Sequence, residues 1–164
     1  MVCWARGTCY QEVKSASIPV ATSEDGLARV KVIAGEALGA RAVIATHTPV
    51  TYQDWTLRPG ADVSLPLSGD LSVLVYVFLG AARVGPGARL VREGQLALLG
   101  PGETVQLRGG DVPGRLLLLA GKPHGEPVMH HGPFVMNTEE ELVQAILDYQ
   151  SGRMGEITRT ARHG

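Results

Sequence analysis

Cysteine is nearly absent from this chain. Cys3 and Cys9 are the only two in 164 residues, too few for the disulfide framework that staples small secreted domains. No further ligand residues lie near them, so they do not form a metal clip and read as ordinary reduced thiols. Charge is scarce and balanced: 15 Lys and Arg against 16 Asp and Glu leave a formal net charge of -1. That balance gives no electrostatic footprint for direct nucleic-acid binding. Long apolar runs are missing too. No window reaches the roughly 18 uninterrupted apolar residues of a membrane-spanning helix. The opening stretch "MVCWARGTCYQEV" lacks the continuous apolar segment of a secretory signal. The expectation is a cytoplasmic protein of one domain, with no membrane contact and enough length to bury a real core.

Short apolar segments are plentiful. "RVKVIAGE" (29–36), "VTYQDWTLR" (50–58), "ADVSLPL" (61–67), "LSVLVYVFLG" (71–80), "GQLALLG" (94–100), "TVQLRG" (104–109) and "GRLLLLAG" (114–121) follow one another. Most are closed off by Gly, Pro, Asp or Asn. The 21 glycines and 10 prolines are spread along the chain as punctuation, not gathered in a disordered tract. "GAARVGPGARLVREG" reads as a Gly-Pro hairpin region. No helical pattern intervenes, which excludes parallel βαβ units and favours an antiparallel sandwich or barrel. Tyr52 and Asp54 share a strand face, and Arg58 is near enough to pair with Asp54. A cavity lined by Tyr, Trp and Val could take an apolar small molecule, although a filled barrel is the commoner state.

A helix is predicted only at the end. Thr138 and Glu141 fit a capping box, and Glu139 and Glu140 suit the positive end of the helix dipole. Leu142, Ala145, Ile146 and Tyr149 follow at helical spacing, and Gly152 makes a stop. Segment boundaries are expected at 1–9 for an unmatched N-terminal segment, 10–136 for the barrel, 137–152 for the helix and 153–164 for a flexible tail.

A strand with one wet face alternates apolar and polar residues, and residues 71–79 do not. Val73, Val75 and Val77 take one face; Leu74, Tyr76 and Phe78 take the other. "LALL" (96–99) and "LLLLA" (116–120) are apolar on both sides as well. The second face calls for a cover: the helix, a partner subunit or another domain. Leu74, Tyr76, Phe78, Leu142, Ile146 and Tyr149 are the candidate interface residues.

Two glycine pairs, Gly60 with Gly80 and Gly94 with Gly102, stand at the spacings of the two cupin motifs, G-x5-H-x-H-x4-E-x6-G and G-x5-P-x-G-x2-H. Over residues 10 to 157 the chain resembles the C-terminal half of the pirin family, most specifically in "VIAGE" and "GPFVMNTEEEL". The resemblance implies an all-β fold: a single antiparallel, jelly-roll-like cupin β-barrel with one C-terminal α-helix. Pirin-family proteins have two cupin barrels, and the N-terminal one holds iron through histidines and a glutamate. Members are known as quercetin 2,3-dioxygenases and as nuclear transcriptional co-regulators. "MVCWARGTC" does not resemble the end of the iron-binding half, and no counterpart of that barrel is expected here.

On this frame the metal-ligand positions fall at Pro66, Ser68, Val73 and Val105, residues that do not suit iron. The barrel is therefore expected to be metal-free, without a cofactor of its own or catalytic residues. Its expected role is association, as a homo-oligomer or with a pirin N-terminal cupin half. The enzymatic alternative is a quercetin 2,3-dioxygenase-like site with ligands drawn from His47, His130, His131 and Glu126. Adjacent strand residues face opposite ways, so His130 and His131 cannot share one ion from a regular strand. A small-ligand-binding cupin is the remaining reading.

Overall fold

The computed structural model describes residues 12–46 and 48–155, together with the backbone of 2–3 and 9–10. Strands β1 (Val2–Cys3) and β2 (Cys9–Tyr10) form a small antiparallel pair. A short 3-10 turn, Ser15–Ser17, leads to β3 (Val20–Thr22) and β4 (Ala28–Ala34). Then come the short hairpin β5 (Glu36–Ala37) and β6 (Ala40–Arg41), β7 (Val50–Leu57), β8 (Asp62–Pro66) and β9 (Ser72–Leu79). Next are β10 (Ala81–Val84), β11 (Arg89–Arg92), β12 (Leu96–Leu99), β13 (Thr104–Gly109) and β14 (Gly114–Gly121). Strands β15 (Met129–His131) and β16 (Phe134–Met136) precede the helix α1 (Glu139–Gln150).

The chain divides into two compact units, Met1–Pro123 and His124–Gly164. The division differs from the expected one in placing the β15–β16 hairpin with the helix and not with the barrel. Residues 151–154 form a turn after the helix, and the expected tail beyond residue 155 lies outside the described residues.

The first unit is the barrel. Six antiparallel strands in the order β12-β9-β14-β7-β4-β3 face four in the order β11-β10-β13-β8. Strict alternation decides what lies between them. Val75, Leu118, Gln53 and Val32 sit side by side across four strands, and each is at most 1% exposed. One residue along, Tyr76, Leu117, Asp54 and Lys31 form the neighbouring row on the outer face. A shift of one residue would exchange the two rows, so burial fixes the register. From the four-stranded sheet Val63, Leu65, Ala82, Val84, Val91, Val105 and Leu107 complete the same core. The buried valines suit strands because their branched side chains fit a pleated surface. Each fully buried Val or Leu contributes roughly 1.5–3 kcal/mol.

The second unit is built on its own hairpin. Met129 pairs with Met136, His130 with Val135 and His131 with Phe134. Helix α1 starts as the sequence demands. The Thr138 hydroxyl accepts from the Glu141 N–H at 3.2 Å, and the Glu141 carboxylate accepts from the Thr138 N–H at 3.1 Å. The helix ends in a Schellman motif at Gly152, whose φ is 73°. The Arg153 N–H donates to the Asp148 carbonyl and the Gly152 N–H to that of Tyr149. Thr138→Ala is expected to cost about 1 kcal/mol of helix stability, read as faster amide exchange over residues 139–142 with the barrel amides unchanged. Among the described residues no helix is long and apolar enough to cross a membrane.

Candidate functional site

The barrel interior is where a cupin keeps its metal. Val73 and Val105 are there, 5% and 4% exposed. The other two expected ligand positions are placed differently. Pro66 is exposed, because β8 alternates and gives its inward positions to Val63 and Leu65. Counting from Gly60 is thus one residue out of phase with the interior. Ser68 lies past the strand end, also exposed, and its hydroxyl donates to Asp70 at 2.5 Å. That hydroxyl, and then Lys122 at 3.2 Å, hold the Asp70 carboxyl below the usual carboxylate range.

Among the described residues the buried polar side chains are Thr51 and Gln53. The Gln53 amide donates through Nε2 to the Glu36 carbonyl, and its Oε1 accepts from Trp55 Nε1, each at 2.9 Å. This amide replaces lost water contacts with two hydrogen bonds, as a buried polar group must. A neutral amide among valines and leucines is not the imidazole and carboxylate donor set that iron takes. The interior residues described do not fit that ion. Among the described residues no three His, Cys, Asp or Glu side chains gather within reach of one metal.

The alternative ligands are likewise not brought together. His130 and His131 are consecutive exposed residues of β15, so they face opposite sides of the hairpin. Glu126 accepts a hydrogen bond from Asn137 Nδ2 at 2.9 Å. His47 lies outside the described residues.

The outer face of the six-stranded sheet carries the candidate interface. Leu74, Tyr76 and Phe78 are half-buried along β9. On the neighbouring edge strand β12, Leu96 and Leu98 are 56% and 70% exposed. Leu98 sits opposite Leu74 and Leu96 opposite Tyr76. Leu117 and Leu119 of β14 extend the apolar surface on the other side of β9. The runs "LALL" and "LLLLA" are apolar on both faces, and the sequence alone does not place these leucines in the interface. Which of their two faces stays outside depends on pairing register, set by residues far away in the chain.

The same face turns polar towards β4. Asp54 pairs with Arg115 at 2.7 Å, not with Arg58 as the sequence suggested; proximity along the chain gave way to strand pairing across 61 residues. Arg115 also lies 4.8 Å from the Phe78 ring centre, a cation–π contact joining the charged and apolar parts. The second Asp54 oxygen, Oδ1, is buried without a hydrogen-bond partner. Arg29, Lys31 and Thr56 line the shallow cavity around this pair.

In the second unit Leu142 is buried and Ile146 half-buried, whereas Tyr149 is 66% exposed. Its ring stands edge-on to Phe134, 5.8 Å between centres. Val143 and Leu147, four residues apart on α1, are about half exposed as well, at 52% and 49%. The i, i+3, i+4 pattern through Leu142 did not reveal this second stripe.

These features have relatives. The Pirin C-terminal cupin domain family matches residues 52–155. Human Pirin is 43% identical over 149 residues, which is 89% of this chain and 51% of that protein. A pirin-like protein of Solanum lycopersicum is 37% identical over 148 residues, 89% of this chain and 50% of its own length. The chain therefore spans about half the length of the curated relatives it matches. Among solved structures, a quercetin 2,3-dioxygenase from Acinetobacter baumannii superposes with a TM-score of 0.81 at 30% identity, covering 92% of this chain and 52% of that one. With an antiparallel cupin barrel, a single C-terminal helix and a family match over most of its length, this chain belongs to the Pirin C-terminal cupin domain family.

Proposed function

We propose that this chain works as a non-catalytic interaction module in the cytoplasm. Its barrel is a metal-free scaffold, and the outer face of the six-stranded sheet is what it offers to other molecules. The observation that carries this reading is the continuous apolar surface of Leu74, Tyr76, Leu96 and Leu98 on the face of the sheet opposite the buried core. The occupant we favour is an iron-binding barrel of the pirin N-terminal type, because the relatives are about twice as long as the stretch matched here. A second copy of this chain is the other candidate. The quercetinase-like alternative draws no support from the placement of His130, His131 and Glu126.

Light scattering coupled to size exclusion tests the proposal, on the chain alone and mixed with the N-terminal half of human Pirin. The parent is expected to run as an assembly in at least one of the two experiments. Leu96→Asp with Leu98→Asp would bury unpaired charge in the contact and weaken it roughly 100-fold, with the far-ultraviolet circular dichroism of the fold unchanged. A parent that stays monomeric in both runs overturns the reading.

A further inference from the structure

A cleft of about 460 Å³ opens between the β5–β6 hairpin, the edge strand β8 and strands β7 and β14. Its walls are Ala37, Leu38, Leu65, Leu67 and Leu118, and it reaches Gln53. We propose that this cleft is a binding site for a small, uncharged, largely apolar molecule carrying one hydroxyl or carbonyl group. The site is separate from the interaction face, and its test does not depend on that proposal.

Three features carry it. The first is the chemistry at the cleft's inner end. Gln53 is 1% exposed and uses one amide hydrogen on Glu36 O and one lone pair on Trp55 Nε1. A primary amide has two of each, so one donor and one acceptor position remain for a ligand. The second is the lip. Leu38 has φ 48° and is followed by Gly39 at φ 78°, so they form a tight turn of the kind that prefers Asn-Gly or Gly-Gly. A leucine there is strained, and strain is kept where the surroundings or the function require it. Here the leucine side chain lines the cleft. The third is size and charge. The volume lies in the range of small-molecule sites, and the only ionisable side chain in the lining is Glu36, which disfavours an anionic ligand.

The hairpin itself is tied to the cleft. The Glu36 carbonyl that receives Gln53 belongs to β5, so the lip and the inner amide are held by one hydrogen bond. A ligand touching Gln53 would be sensed by Trp55, whose indole N–H donates to the same side chain.

That coupling supplies the readout. With Trp4→Phe in the full chain, Trp55 is the single indole, and p-cresol is the probe. A saturable change in Trp55 emission is expected, with no such change for benzoate. Leu67→Phe fills the cleft and should weaken p-cresol binding by about tenfold or more. Leu38→Asn suits the left-handed turn and should raise the melting temperature while weakening binding about fivefold. That opposition is the signature of a residue kept for its ligand contact. If Leu67→Phe does not fold, the Leu38→Asn comparison decides alone. A non-saturating response in the parent, or unchanged affinity in Leu38→Asn, overturns the proposal.

Discussion

Trp55→Ala is expected to unfold the barrel or leave it barely stable. Trp55 is fully buried between the two sheets, and its removal opens a cavity costing about 3–5 kcal/mol. The indole N–H is also the partner of Gln53 Oε1, and leaving that oxygen unpaired in the interior adds about 1–3 kcal/mol. Natural domains have roughly 5–15 kcal/mol in total, so the combined loss takes most of it. Urea titration of the parent and variant checks this: the midpoint should fall sharply at constant slope. Gln53→Leu should be milder, because leucine fills the space and the loss is two hydrogen bonds instead of a cavity. Combining the two changes should cost less than the sum, since both remove the same bond. Strict additivity would show that the pair does not act as a unit.

The second large effect is at Gly109→Ala. A Cβ at Gly109 would stand 2.0 Å from the Arg58 carbonyl oxygen, a distance no side chain tolerates. The obstacle is backbone, from the turn between β7 and β8, so β13 must move away from its sheet partner. A loss of about 3 kcal/mol or more is expected, at the upper end for single substitutions. Gly102→Ala is the matched control. It has nothing within 4 Å and no left-handed backbone, and should stay within about 0.5 kcal/mol of the parent. Thermal melts of the two variants side by side make the comparison. Equal melting temperatures would mean that β13 and the β7–β8 turn separate at little cost.

The two glycines also show what a sequence conveys and what it withholds. Spacing alone treats Gly102 as part of a motif and gives Gly109 no special place. The crowding at Gly109 exists only once the β7–β8 turn is packed against β13, far away in sequence order. The strands themselves were legible, because their signals are local. The runs at 50–58, 104–109 and 114–121 coincide closely with β7, β13 and β14. The helix was legible for the same reason, since Thr138 and Glu141 act within its first turn and Gly152 just past its last. Short strands escaped. Strands β15 and β16 have three residues each, and "MHH" carries no period that a reader could use.

The candidate site was harder to read than the fold. Apolarity on both faces of β9 is a sequence signal, and Leu74, Tyr76 and Phe78 do lie on the outer face. The phase of β8 was not readable, because counting from Gly60 cannot tell how many residues the turn takes before the strand begins. The motif spacing thus points to Pro66 as an interior residue, whereas Leu65 occupies that place. Asp54 pairs with Arg115 and not with the nearby Arg58 because the β7–β14 ladder brings Arg115 close.

Edge strand β12 has a consequence for handling the protein. One side of its backbone pairs with β9, and the other is a free sheet margin beside Leu96 and Leu98, with no charge in the strand. Natural sheets usually guard such margins with lysine, proline or a bulge. Without a cover this margin can template a foreign strand, and concentrated samples should gain intermolecular β-structure first at "LALL". A lysine at Leu98 would act as a gatekeeper against that growth, leaving the folded core untouched.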